Sequence, residues 1–195
     1  MQKNGSWRLP VLLLLLVLST VLLQALPEAA QLQVRYDRAA ILLGEGWRLF
    51  SGHLLHLGWV HLALNLAGLG LIVALFWQYW STLKFVFVFL FSLAAVDVGL
   101  WWFSPEVGWY VGLSGILHGL LIAGAVFSFQ RERAFSIAVM VIVIGKLAWE
   151  QITRTSAGTE KLIGGHVLFD AHLYGFTGGL IAAILLLLSH KEKNT

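Results

Sequence analysis

An all-α, polytopic membrane protein is the fold class this sequence predicts, and three observations predict it. Charged residues make up only 12% of the 195 residues, and hydrophobic residues make up 58%. A water-facing surface needs about 25% charged residues, so a soluble enzyme, a disordered chain and a nucleic-acid-binding domain are disfavoured. The mean hydropathy of +0.81 agrees. The apolar residues also fall into six stretches of near-spanning length, at about 9–26, 54–77, 85–103, 111–129, 134–152 and 171–188. A bilayer core takes roughly 20 apolar residues as a helix. With no internal repeat, the whole chain, 1–195, is expected to form a single membrane domain.

The first stretch follows Lys3 and Arg8. It is long for the core of a signal peptide, and Pro27-Glu28 is a poor cleavage context, so it is expected to remain as a span. The leucine run Leu12–Leu16 is expected to face lipid. Asp97 interrupts the third stretch and Lys146 the fifth. Each is expected to have its own partner, or Lys146 to snorkel. The connections 27–53 and 153–170 are long.

Basic residues concentrate on the cytoplasmic side of membrane proteins. A cytoplasmic N-terminus gives +5 inside and −2 outside, with Lys146 and Asp97 left within spans. Both termini are therefore expected inside. Trp101, Trp102, Trp109 and Tyr110 then cluster at the outer boundary as an interfacial belt. With zero cysteines, disulfides, thiol catalysis and Cys-based metal sites are excluded.

In this topology the second, fourth and sixth helices all start at the outer face. The second begins with His53, His56, His61 and Asn65, the fourth with Gly112-Leu113-Ser114-Gly115 and His118, and the sixth with Ala171-His172. Polar and ionisable groups inside a span usually face a cavity or one another. Gly115, Gly119 and Ala123 stand four apart, as do Gly175, Gly179 and Ala183. Small residues at that spacing let helices approach closely. If these ladders face each other, Ser114 comes near His172.

A serine hydroxyl next to a neutral histidine suggests acyl transfer, with peptide hydrolysis the natural case. His61 and Asn65, one turn apart, offer donors for an oxyanion, and the Ser114 N–H is a third candidate. No carboxylate is evidently placed to complete a triad, since Asp170 points elsewhere. The pattern is a dyad, and it calls for neither metal nor other cofactor.

Four elements carry a family resemblance. Gly112-Leu113-Ser114-Gly115 resembles the GxSG nucleophile motif of the rhomboid intramembrane serine proteases. His56-x4-His61-x3-Asn65 resembles their HxxxxHxxxN element. Ala171-His172-x2-Gly175-x3-Gly179 resembles their last helix, and Trp47-Arg48 their first-loop WR motif. The order and spacing of the four run from Trp47 to Gly179. The flanking strings, Ser51-Gly52-His53-Leu54 and His118-Gly119, are most similar to the rhombosortase branch.

The resemblance implies a six-helix rhomboid-like bundle in a bacterial inner membrane, with the active site opening to the periplasm. Ser114 is then the nucleophile and His172 the base, with His61 and Asn65 stabilising the oxyanion. Gly112, Gly115, Gly175, Gly179 and His118 support the dyad. Position 118 is commonly Tyr in rhomboids. A His there could itself act as base, and spacing leaves that open. The substrate implied is a membrane-anchored protein whose C-terminal tail holds a Gly-Gly motif, a hydrophobic helix and basic residues.

His56 is expected to tie the first loop to the second helix, and His53 and His166 to be solvated. The loop 156–170, with Gly158, Gly164 and Gly165, is expected to act as a movable cap. Two rival readings are a non-cleaving binder of membrane helices and a metal or haem protein using His56, His61, His118 and His172. Serine-directed fluorophosphonate labelling with metal analysis separates them.

Overall fold

Helices account for nearly all the regular structure in the computed structural model, which describes residues 7–192. Lys3 and Lys193 of the charge count lie outside these residues, as do the side chains of His190, Lys191 and Glu192. Four helices are long and apolar enough to cross a membrane, namely α5 (Trp59–Phe76, continued by a 3-10 turn to Tyr79), α6 (Thr82–Trp102), α8 (Arg133–Thr153) and α10 (Phe169–Glu192). Two shorter apolar helices, α1 (Arg8–Gln24) and α7 (Ser114–Ser128), complete the six anticipated stretches.

α7 is the central helix, with α5, α6, α8 and α10 packed around it. Its composition explains this. Gly115, Gly119, Gly124, Ala123 and Ala125 are all buried and leave no bulk to hold neighbours away. A Cβ added to Gly175 would strike the Gly115 carbonyl, and one added to Gly179 would strike Gly119. The two small-residue ladders therefore face each other at backbone distance.

Element boundaries follow from local chemistry. Ser81 caps α6 by accepting from the Lys84 N–H at 3.3 Å. At its other end Arg38 donates to the carbonyls of Leu100, Trp101 and Ser104, satisfying acceptors the helix leaves open. α7 cannot extend back through Gly112, which has φ +131°.

The first connection is ordered around that glycine. It holds α2 (Glu28–Val34), β1 (Tyr36–Asp37), α3 (Arg38–Leu42) and α4 (Arg48–Ser51). β1 pairs antiparallel with β2 (Trp109–Tyr110), Tyr36 opposite Tyr110. Arg48 is buried and donates to the Leu32 and Arg35 carbonyls at 2.8 and 3.0 Å and to Glu45 at 2.6 Å. This gives the WR arginine a structural role: it gathers the loop that leads to the site.

Several expectations need correction. The second helix starts at Trp59, not near residue 54, so His53 and His56 precede it. His53 is fully buried, not solvated, and bonds Asp97 at 3.1 Å. The loop folds back into the bundle because Gly52 packs on the Tyr36 backbone, where a Cβ would come within 2.5 Å of the nitrogen. His56 is tied to the second helix as expected, its ring lying edge-on to His61 at 5.0 Å, and also to α1, its N–H donating to Gln24 Oε1 at 3.1 Å. Tyr110 is buried, unlike Trp102 and Trp109 of the expected belt. In the leucine run only Leu14 and Leu15 are exposed, while Leu12, Leu13 and Leu16 pack on the core.

Candidate active site

Ser114 and His172 meet where α7 and α10 begin. Ser114 Oγ lies 3.0 Å from His172 Nε2. The contact depends on the facing ladders, since Gly115 sits so close to α10 that a Cβ would come within 2.7 Å of the Ala171 carbonyl. Gly112 turns the chain into α7, and its carbonyl accepts from the Tyr110 hydroxyl at 2.6 Å. Its N–H donates to the Gly52 carbonyl at 3.2 Å. Burial, with Asp97 nearby, pushes the Tyr110 phenol above its ordinary range, so it remains a donor to Gly112. The His53 ring stands edge-on to Tyr110 at 5.4 Å. The buried His53–Asp97 pair thus supports the strand that delivers the nucleophile.

His61 and Asn65 reach the same place from α5. The Leu57 N–H donates to His61 Nδ1 at 3.3 Å. That bond puts the imidazole proton on Nε2, which faces Gly112: a Cβ there would lie 3.4 Å from it. Asn65 Nδ2 donates to the His61 carbonyl at 2.9 Å, which leaves its second N–H free. Both residues are buried and both line a cavity of about 770 Å³ that also admits Ser114 and His172. His61 Nε2 and Ser114 Oγ thus both lie beside Gly112, and Asn65 lines the same cavity.

A carboxylate stands on the far side of His172. Glu150 Oε2 lies 3.0 Å from His172 Nδ1, and both side chains are only 8% exposed. This corrects the expectation that no carboxylate was placed to complete a triad. Lys146 does not snorkel: its Nζ lies 2.6 Å from Glu150 Oε1 and 3.0 Å from His118 Nε2. His118 Nδ1 bonds the Ser114 carbonyl at 2.8 Å, and its ring stacks on His172 at 4.3 Å. Asp97 and Lys146 thus have separate partners, as expected. Asp170 pairs instead with Arg154 at 2.7 Å, away from His172.

His118, Glu150 and His172 bring metal-ligand-type atoms within 4.8 Å of one another. The Lys146 ammonium touches two of the three residues, which supplies a cation to the group from the chain itself. His56 lies against His61 at 5.0 Å, and its ring nitrogens have no partner among the described residues.

Above the cavity stand the 106–111 segment and α9 (Ala157–Ile163), the helix that occupies part of the expected cap. It ends at Gly164 with φ +73°. His166, fully exposed, lies 3.4 Å from Glu160.

The rhomboid domain signature matches residues 43–189, well over half of the chain. The chain belongs to the rhomboid family. A relative from Bacillus subtilis (strain 168), named "Putative rhomboid protease YdcA", is 26% identical over 142 residues, covering 73% of this chain and 68% of that protein. Both comparisons support an intramembrane protease function. Within this rhomboid, shared depth and the family resemblance single out Ser114, His172, His61 and Asn65; the structure puts the first two in contact and all four on one cavity. Sequence reasoning missed Glu150, although a Lys and a Glu four apart on one helix face were the available signal.

Proposed function

We propose that this rhomboid is a serine endopeptidase that cuts membrane-anchored proteins near the outer end of their transmembrane helix. The observation that carries the reading is the 3.0 Å approach of Ser114 Oγ to His172 Nε2 at the edge of a large cavity. His172 takes the hydroxyl proton as Ser114 attacks the scissile carbonyl. His61 Nε2–H and an Asn65 N–H are the donors for the oxyanion. The imidazolium then protonates the leaving amine, and a water repeats the sequence to free the acyl group. His118 is disfavoured as base because both its nitrogens are engaged elsewhere.

Helix geometry limits the substrate. A transmembrane helix hides its peptide bonds in internal hydrogen bonds. A bond reaches Ser114 only where the substrate helix has unwound, and glycine eases that by roughly 1 kcal/mol relative to alanine. The cavity is lined by Leu64, Gly68, Leu71, Leu117 and Leu121 below the polar cluster, which suits an apolar segment with a small-residue break. The rhombosortase-like strings sharpen the proposal to a C-terminal tail with a Gly-Gly motif, a hydrophobic helix and basic residues. Cleavage just outside that helix releases the exported protein body.

Co-expression of such a tailed protein with the wild-type enzyme is expected to yield a new C-terminus at the Gly-Gly region, mapped by mass spectrometry. Ser114→Ala is expected to leave the tail whole. An uncut tail beside an active enzyme rejects the tail assignment and keeps the broader protease reading.

The charge bias supports cytoplasmic termini, and the rhombosortase resemblance implies an inner membrane with the site opening to the periplasm. A reporter at residue 131 should then be cytoplasmic and one near residue 158 periplasmic. The reverse pattern refutes this orientation.

A further inference from the structure

Five residues close a ring of hydrogen bonds around the nucleophile. Ser114 Oγ meets His172 Nε2 at 3.0 Å, and His172 Nδ1 meets Glu150 Oε2 at 3.0 Å. Glu150 Oε1 meets Lys146 Nζ at 2.6 Å, and Lys146 Nζ meets His118 Nε2 at 3.0 Å. His118 Nδ1 returns to the Ser114 carbonyl at 2.8 Å. An ammonium can only donate and a carboxylate can only accept, so the ends of the ring fix the sense of every bond. Lys146 donates to His118 Nε2, which leaves the His118 proton on Nδ1, pointing at the Ser114 carbonyl. His172 donates from Nδ1 to Glu150, which leaves Nε2 bare to accept from the Ser114 hydroxyl.

We propose that Glu150 is a positioning residue that holds His172 in its base-competent tautomer, and that Lys146 anchors Glu150 while denying His118 the role of base. The site is then a Ser–His–Glu triad closed by a lysine. This rests on the serine-protease reading above. In the acylation step the Ser114 Oγ–H proton moves to His172 Nε2 as the Oγ–carbon bond forms. The carbonyl π pair moves to oxygen. Glu150 stays ionised and faces the imidazolium. The proton then passes from Nε2 to the leaving nitrogen as the carbon–nitrogen bond breaks.

The ring demands two acceptors of residue 150, and this gives a test that a bulk structural role would not pass. In Glu150→Gln only one acceptor remains. The Lys146 charge takes the oxygen, so the amide NH2 turns to His172 Nδ1 and drives the proton onto Nε2. That tautomer cannot accept from Ser114. Removing the competitor, in the double variant Lys146→Met/Glu150→Gln, lets the amide oxygen turn back to His172.

The readout is the rate of fluorophosphonate labelling at Ser114 in the full-length protein, which does not depend on the tail substrate. For Glu150→Gln, kinact is expected to fall on the order of 100-fold or more, with KI within about 3-fold, as when a triad histidine loses its acid. The double variant is expected to label at least about 10-fold faster than Glu150→Gln alone. A purely structural role predicts the opposite, since a second substitution in the same ring of contacts would add to the first. Labelling of Glu150→Gln within about 3-fold of wild type overturns the proposal, and so does a double variant no faster than the single. If Glu150→Gln does not accumulate folded, Glu150→Asp decides. It keeps charge and both acceptors but is one methylene shorter, so it cannot span both partners. A loss of about 10-fold or more supports the ring, and a wild-type kinact overturns it. Failure of the wild-type protein to label at Ser114 would instead reject the serine-protease reading itself.

Discussion

Ser114→Ala is expected to abolish proteolysis and leave a folded protein. The substitution removes one hydroxyl whose side-chain partner is His172 Nε2. A single intramolecular hydrogen bond is worth about 1 kcal/mol to stability, so the thermal midpoint in detergent should move little. The rate should fall to the detection limit, because losing the nucleophile of a serine protease costs on the order of 10⁶ in kcat. His172→Ala should be comparably inactive, since removing the base costs about as much as removing the nucleophile. Substantial cleavage by either variant would remove the assigned chemistry. Asn65→Ala belongs on the same assay as a graded case. It spares the nucleophile and removes one proposed oxyanion donor from the same cavity, which costs on the order of 3 kcal/mol where such donors have been measured. The loss is expected to be smaller here, because His61 Nε2–H points to the same region. A rate for Asn65→Ala equal to wild type would take Asn65 out of the oxyanion site.

The contrast between Ser114 and Glu150 marks what the sequence can and cannot convey. The depth of Ser114, His172, His61 and Asn65 was legible because three helices start at one face and carry their polar residues in the first turns. The glycine ladders then supplied the missing rotation, since only one face of α7 and one of α10 allow backbone contact. Glu150 lies at the same depth but on α8, which runs the other way and carries no glycine ladder to fix its azimuth. His53 was lost for a different reason. Its burial depends on a non-local turn, in which β1 pairs with β2 and the backbone at Gly52 lies against Tyr36. Local composition around His53 looks like an exposed loop, and the pairing that buries it joins residues more than seventy positions apart. The span limits erred in the same way: hydropathy carries on through residues 54–58 and 111–113, but the backbone is extended at Gly58 and left-handed at Gly112, so α5 and α7 begin only after them.

The second large effect needs no catalytic group at all. Gly179→Leu is expected to inactivate the enzyme by separating α10 from α7. The atoms in the way are the Gly119 backbone, so no side chain can swing aside to make room. Gly175→Leu meets the Gly115 carbonyl in the same manner, one turn closer to His172. Position 179 lies seven residues from His172, about 10 Å along the helix at 1.5 Å per residue. A side chain there cannot touch substrate at Ser114, and its effect must travel through helix placement. A displacement near 1 Å can cost about 100-fold in rate when the reacting groups must be within hydrogen-bond reach. Labelling of Ser114 by a fluorophosphonate should fall by at least that factor in both variants, and cleavage of a membrane-anchored substrate should fall with it. Gly70→Leu is the control, because a Cβ at Gly70 on α5 meets nothing within 4 Å, and it should label as wild type does. Wild-type labelling by Gly179→Leu would mean that the nucleophile and its base do not depend on the facing ladders, and the packing origin of the site would have to be abandoned.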